Sequence, residues 1–338
     1  MNKTYSFFLI ASLVLVYLVI AAGSIVRMTG SGMGCPDWPK CFGYIIPPTE
    51  RSQLEWKPEQ AYKKGEVIIV EESLRVAPRD FTTEKNFTEE NWEPYTKHDY
   101  AIFNPIHTWI EFLNRLLGAL AGLATLLLFV FSLFKLKKDV LLSVVSFLIV
   151  LGMGFQAWLG KTVVDSNLLP YKITLHMIMA LLLVLLLIFL LERNLTVMKP
   201  LKSNYSLKAT VAVGLFLTLV QIGMGTQVRQ FVDVQMKYWG LEVASQWLSS
   251  PPFIFYFHRS FSLLVIAVHG LIAYQLYQNK QLPLVFKFVL ILIGLEVVTG
   301  IGMYYLDFPF SSQPLHLILA SLLFGAQSFF MIRLIKQR

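Results

Sequence analysis

Residues 173–192 read ITLHMIMALLLVLLLIFLLE, twenty positions with one imidazole and one terminal carboxylate among them. In so uniformly apolar a run, periodicity does not separate a spanning helix from a buried core helix. Length does. At about 1.5 Å per residue, twenty helical residues cover about 30 Å, the thickness of a bilayer's hydrocarbon core. Seven further stretches have the same character: 5–26, 107–134, 140–160, 208–228, 253–277, 284–304 and 313–334. Each predicts a transmembrane helix, so the fold class is all-α integral membrane. Eight such stretches in 338 residues leave little sequence for a soluble core.

Composition agrees. The chain is 55% hydrophobic and 14% aromatic, and only 15% of its residues are charged, against about 25% in a soluble domain. The first stretch follows Lys3 and ends near Ala21, Ala22 and Gly23, as a signal peptide would. Its apolar core is too long for that, and it has a matching partner later in the chain. It is read as a retained helix.

The net charge of +8 does not point to nucleic acid, because of where the charges fall. Lys135, Lys137 and Lys138 follow the second span. Arg193, Lys199, Lys202 and Lys208 lie between the fourth and fifth. Lys280 and Lys287 flank the turn between the sixth and seventh, and Arg333, Lys336 and Arg338 end the chain. All lie on one side of the membrane if the N-terminus is cytoplasmic, which is the positive-inside bias. The expected location is a bacterial-type cell membrane, with both termini cytoplasmic and segments 27–106 and 229–252 outside. The outer segment 27–106 holds most of the acidic residues, among them Glu71, Glu72, Glu84, Glu89 and Glu90. It is expected to be an ordered outer loop.

The chain repeats itself. Gly23-Ser24-Ile25-Val26-Arg27 ends the first span and Gly225-Thr226-Gln227-Val228-Arg229 ends the fifth. Asn114-Arg115 corresponds to His258-Arg259, and Gly160 precedes His176 by the interval that separates Gly300 from His316. The expected architecture is two tandem four-helix bundles in the same orientation. The N-terminal half is 1–192, the linker 193–207 and the C-terminal half 208–338.

Ionisable groups inside a membrane are expensive and mark functional sites. His107, His176, His258 and His316 all begin even-numbered spans, which start on the outer side. They therefore share a depth. Two imidazoles facing each other across a helix bundle can ligate a haem iron, and His258 with His316 form such a pair. Interfacial histidines bonded to water or headgroups are the plainer alternative. Arg27, Arg115, Arg229 and Arg259 lie on the outer side, against the positive-inside tendency, and an Arg fork suits a haem propionate; snorkelling to headgroups is the alternative there. His269 lies 11 residues beyond His258. A second haem at its depth would need a partner 11 residues beyond His316, where Gln327 stands, so His269 is expected to be a hydrogen-bonded bundle residue. His98, in the outer loop, is expected to be solvated.

The run Thr29-Gly30-Ser31-Gly32-Met33-Gly34-Cys35-Pro36-Asp37-Trp38-Pro39-Lys40-Cys41-Phe42-Gly43 resembles the first outer-loop signature of the haem A synthase family. Glu111 with Asn114-Arg115-Leu116-Leu117-Gly118 is similar to the family's motif in the second span, and His258-Arg259, Gly160 with His176 and Gly300 with His316 also fit. The resemblance covers nearly the whole chain and is weakest over 45–100. It implies an oxidoreductase that converts the C8 methyl of haem O, its substrate, to the formyl group of haem A, its product, for terminal oxidase assembly. It also implies a resident haem b between His258 and His316, and a substrate haem in the first half. There the ligand positions correspond to Asn114 and His176, and the essential carboxylate to Glu111.

This chain departs from the family at Asn114, where a histidine is usual. Either His107, two turns earlier on the same face, takes that role, or His176 is the one protein ligand and the opposite position stays open. Glu111 lies on the face shared by His107 and Asn114. A carboxyl in a low-dielectric pocket suits proton transfer; an ion pair with Arg115 at i+4 is the structural alternative. Cys35 and Cys41, the only cysteines, fall on the oxidising side, where a disulfide persists. Its role, structural or redox, stays open.

The expected partners are the lipid bilayer, a haem O synthase, the terminal oxidase assembly machinery and an electron acceptor, with homo-oligomerisation open. No dinucleotide fingerprint supplies the acceptor. The rival readings are a membrane haem carrier, which would not need Glu111, and a b-type haem electron-transfer protein, which would ordinarily want haems near both faces.

Overall fold

The computed structural model describes residues 3–96, 103–166, 168–195, 201 and 203–336. Its long helices are α1 (Lys3–Met28), α2 (Pro105–Leu133), α3 (Val140–Asp165), α4 (Pro170–Asn194), α5 (Tyr205–Trp239), α6 (Phe253–Gln278), α7 (Leu284–Tyr305) and α8 (Ser312–Lys336). All eight are long and apolar enough to cross a bilayer, and the protein is a multi-pass membrane protein.

The burial pattern is that of a protein dissolved in lipid. Phe7, Leu18, Leu123, Leu126, Phe147, Leu263 and Val298 are exposed, whereas Ser12, Thr125, Ser146, Thr218, Ser321 and Gln327 are buried. Small and polar side chains belong at helix–helix contacts when the solvent is as apolar as leucine. Local chemistry sets the helix starts. The Asn104 side chain accepts from the backbone N–H of Ile106 and His107, with Pro105 as the first helical residue of α2. Asp139 caps α3 through Leu142, and Asn204 caps α5 through Leu207. These are side-chain N-caps, which satisfy donors that the first helical turn leaves free. Pro170, Pro252 and Pro283 stand at the starts of α4, α6 and α7, where a missing N–H costs nothing.

Helix α1 packs on α2 and α4, and α3 packs on α2 and α4; α5 packs likewise on α6 and α8, and α7 on α6 and α8. The two sets meet where α1 and α4 lie against α8. Each set has its own apolar core. Tyr5, Leu9, Leu128, Ile149, Leu183 and Leu187 belong to the first; Leu207, Ile272, Phe286, Val289, Leu323 and Phe330 belong to the second. Between them the Tyr17 hydroxyl donates to the Ser321 carbonyl at 3.4 Å. A Cβ at Gly325 would lie 2.1 Å from that hydroxyl.

The spans agree with the sequence boundaries to within a few residues except at α5. That helix continues eleven residues past position 228 to Trp239, so the outer segment 229–252 begins as helix. No Gly or Pro interrupts 229–239, and the helix stops only at Gly240, whose φ of 84° suits glycine.

The outer segment between α1 and α2 is a small β module. Strand β2 (Val67–Val70) pairs antiparallel with β3 (Ser73–Val76), which pairs with β5 (Glu93–Pro94); β1 (Ala61–Tyr62) pairs with β4 (Phe81–Thr82). Alternation along β2 divides its side chains between two cores. Val67 and Ile69 join Cys35, Cys41, Phe42, Leu54 and Leu74, with Phe112 of α2 packed against them. Ile68 joins Tyr62, Ala77 and Trp92. The module is thereby seated on the head of α2.

Candidate functional site

The even-numbered helices all start on the side that carries the β module. His176, His258 and His316 stand in the second turns of α4, α6 and α8. Each ring lies against a glycine of the preceding odd-numbered helix. A Cβ at Gly160, Gly225 or Gly300 would come within 3.3, 3.2 and 3.6 Å of the ring Cε1 of His176, His258 and His316, respectively. Asn114, in the third turn of α2, faces Gly23 of α1 at 3.9 Å by the same measure. It thus takes toward α1 the place that His258 takes toward α5.

Side-chain amides hold two of these helices in position. Gln156 donates to the His176 carbonyl at 3.1 Å, and Gln221 to the His258 carbonyl at 3.0 Å. The Nδ1 atoms of His176 and His258 and the Oδ1 of Asn114 are buried without a hydrogen-bond partner. Both Nδ1 atoms lie beside the glycines of the neighbouring helices, 4.0 Å from a Cβ at Gly160 and 3.8 Å from one at Gly225. His316 differs, because its Nδ1 lies 2.8 Å from Thr299 Oγ1 and 3.1 Å from Glu296 Oε2, both on α7.

Glu111 is buried at the head of α2. Its Oε2 accepts the backbone N–H of Cys35 at 2.9 Å, and its other oxygen pairs with Arg115. Arg115 also donates to the carbonyls of Asp37 at 2.6 Å, Lys40 at 3.0 Å and Cys35 at 3.2 Å. These acceptors belong to the loop that the Cys35–Cys41 disulfide closes. Asp37 accepts from the N–H groups of Phe42 and Gly43 at 2.6 and 2.8 Å. Burial pushes its carboxyl up from the ordinary carboxylate value, and those N–H groups and Arg115 partly offset the rise. Thr108 Oγ1 donates to the Gly34 carbonyl at 2.8 Å. The backbones touch there, since a Cβ at Gly34 would lie 2.5 Å from the His107 carbonyl oxygen. The cysteine loop therefore closes directly over the first turn of α2.

The arginines divide. Arg27 reaches Asp233 Oδ2 through Nε at 2.8 Å and Nη2 at 2.5 Å, while Arg229 reaches Asp233 Oδ1 at 2.8 Å and the Arg27 carbonyl at 3.0 Å. Arg27 and Arg229 thus share a protein carboxylate that ties α1 to the outer extension of α5. Both terminal nitrogens of Arg115 are taken up by the cysteine loop and Glu111. Arg259 is exposed, stacked 6.0 Å from the Phe255 ring and 5.8 Å from the Tyr256 ring, and has no ion-pair partner among the described residues.

His269 is the bundle residue expected. Its Nδ1 lies 2.7 Å from the Val265 carbonyl and its Nε2 2.8 Å from Gln327 Nε2, which also donates to Thr218 at 3.0 Å. His107 stands in the first turn of α2, two turns nearer the module than Asn114. His98 lies outside the described residues.

Sequence reasoning passed over Glu296, Thr299 and Asp233. Glu296 carried a visible signal, an acidic residue within an apolar span. It also precedes His316 by 20 residues, as Gln156 precedes His176. Asp233 had none, because its role depends on α5 continuing past its apolar stretch.

The COX15-CtaA family model, described as cytochrome oxidase assembly protein, matches residues 6–89 and 74–328. The chain is similar to the haem A synthase of Rickettsia bellii, at 24% identity over 348 residues and 96% of each chain. It is similar to that of Flavobacterium johnsoniae, at 23% identity over 370 residues and 99% of each chain. Against the haem A synthase of Shewanella oneidensis, identity is 27% over 216 residues, 63% of this chain and 53% of that one.

Proposed function

Since the chain belongs to the COX15-CtaA family of cytochrome oxidase assembly proteins, we propose that it is a haem A synthase, oxidising the C8 methyl of haem O to a formyl group. The observation that carries this reading is the recurrence of one arrangement at one depth: His176 against Gly160, His258 against Gly225 and His316 against Gly300. Glycine leaves room for a flat imidazole to stand upright between helices, and imidazole is a good neutral ligand for iron.

We read the two sets of helices as tandem halves with distinct tasks. The C-terminal half would hold haem b between His258 and His316. The glycine contacts of both rings fit such a group, and Arg259 is a fork for a propionate without an ion-pair partner among the described residues. When bound, haem b supplies one-electron transfer. The N-terminal half would take haem O on His176. Asn114 fills the place of the usual second histidine, and a neutral amide is a poor iron ligand. The reading with one protein ligand and an open opposite position is therefore the one adopted, and it suits an enzyme whose substrate and product must exchange. His107, beneath the Gly34 backbone, helps seat the loop.

With water as the oxygen source, turning a methyl into a formyl releases four protons and four electrons. Glu111 is assigned to accept protons from the substrate side. Arg115 fixes the carboxylate and the Cys35–Cys41 loop in one geometry, so that the ion pair positions the carboxyl. The loop also covers the head of α2 and excludes water, which strengthens every charge interaction beneath it. An electron acceptor outside the chain completes the balance. We place both termini in the cytoplasm, from the lysine and arginine bias of the loops, with the β module outside.

The test is chromatography of haems from cells that make haem O, with and without this protein. Haem A only in its presence supports the reading. Haem O unchanged beside a haem-loaded protein, with a competent acceptor present, would favour a carrier.

A further inference from the structure

Gln156 and Glu296 stand at corresponding positions, 20 residues before His176 and His316, and differ in charge. In the first half Gln156, 20 residues before His176, donates to the His176 backbone and leaves the ring Nδ1 without a partner. In the second half Glu296, 20 residues before His316, directs Oε2 to within 3.1 Å of the ring Nδ1. Thr299 adds a second oxygen at 2.8 Å from the same atom. The Thr299 hydroxyl lies 2.9 Å from the Leu295 carbonyl and 3.1 Å from that of Glu296, and so spends its proton on its own helix. Only its lone pairs are left for the imidazole. The tautomer with its hydrogen on Nδ1 of His316 serves both oxygens and leaves the Nε2 lone pair for a ligand.

We infer that Glu296 and Thr299 are positioning residues for the retained haem. They fix His316 as the Nε2 ligand and strengthen its donation to iron, while Gln156 leaves the first-half ligand untuned for exchange. The inference rests on the reading that His258 and His316 hold haem b. An oxygen that accepts from the remote N–H of a ligating imidazole raises its basicity and fixes its orientation; removing such a partner costs about 10–100-fold in metal affinity. A more basic axial ligand favours ferric iron, so the acceptor pair lowers the haem b potential. The Oε1 of Glu296 is buried with no partner, so the carboxyl has been brought into the bundle for this contact at the expense of its other oxygen. That expense argues against an incidental placement.

The experiment compares purified full-length protein carrying Glu296→Leu, Thr299→Val, the double substitution, Glu296→Gln and His316→Ala. Haem b content, midpoint potential and the low-spin electron paramagnetic resonance signal are read for each. Leucine and valine are sound choices in a lipid-embedded helix, and a monodisperse elution profile confirms folding. The double variant is expected to have a raised potential, a shifted low-spin signal and about 10–100-fold faster haem loss. Glu296→Gln, which installs the first set's residue at this position and leaves Thr299 in place, is expected to raise the potential by less than the double variant does. His316→Ala separates the two readings. If it keeps haem b with an unchanged spectrum, His316 is no ligand and the underlying assignment falls. If it loses haem b while the double variant retains wild-type potential, signal and retention, the assignment stands and the role of Glu296 and Thr299 is refuted.

Discussion

Glu111 and Cys35, 76 residues apart in the chain, are joined by a hydrogen bond of 2.9 Å from the Cys35 backbone N–H to the Glu111 carboxyl. Through it the outer disulfide loop and the head of α2 form one unit. Any movement of the loop moves the carboxyl, and any loss of the carboxyl frees a buried N–H.

Arg115 holds the same unit from the other side, with three loop carbonyls and Glu111 as acceptors. Arg115→Met should leave all four without their donor. Removing one partner of a buried pair costs on the order of 3 kcal/mol or more. The expected result is a lower temperature of thermal inactivation and faster proteolysis near Cys35–Cys41, with haem b still bound in the second half. Unchanged proteolysis would mean that the disulfide alone holds the loop.

The glycine contacts make a paired prediction. Gly225→Ala places a methyl 3.2 Å from His258 Cε1, whereas nothing lies within 4 Å of a Cβ at Gly223. Gly225→Ala should shift the haem b absorption bands and weaken retention during purification. Gly223→Ala should do neither. Equal effects of the two would show that the helix responds to lost flexibility rather than to the ring contact.

Asp233 is the common acceptor of Arg27 and Arg229. Asp233→Ala leaves two partly buried guanidinium groups without it, at a cost of about 1–3 kcal/mol. Thermal unfolding in detergent should show that loss. Arg27→Leu combined with Asp233→Ala should recover part of it, because fewer unpaired charges remain.

Much of this was legible in the sequence. Span length alone marked all eight helices, because residues such as 173–192 leave no other use for so much apolar surface. The spacing of Gly160 with His176 and of Gly300 with His316 was legible, and the structure puts each glycine against its histidine. The rest depended on tertiary contacts. The module's strands are two to four residues long, too short for alternation to declare itself. The grip of Arg115 on the cysteine loop was not legible, because its acceptors there are backbone carbonyls, which carry no sequence signal. Glu296 was readable as an intramembrane acid, and its pairing with His316 emerged only with α7 and α8 side by side.

Asn114→His places an imidazole opposite Gly23, in the position that His258 holds opposite Gly225. The expected outcome is a second low-spin haem signal in the purified protein and slower release of product from the first half. Without any new signal, Asn114 would not face the substrate iron, and His107 would become the candidate for that side.

The most direct test of the central claim is the haem A yield of Glu111→Ala in cells that supply haem O, read beside the haem b spectrum of the same purified variant. An intact haem b spectrum is expected, with a fall in haem A of about 10²–10⁴-fold, the range for loss of a positioned proton-transfer group. Haem A at the wild-type level would contradict the claim, removing Glu111 from the chemistry and leaving its bonds to Cys35 and Arg115 as a structural clasp.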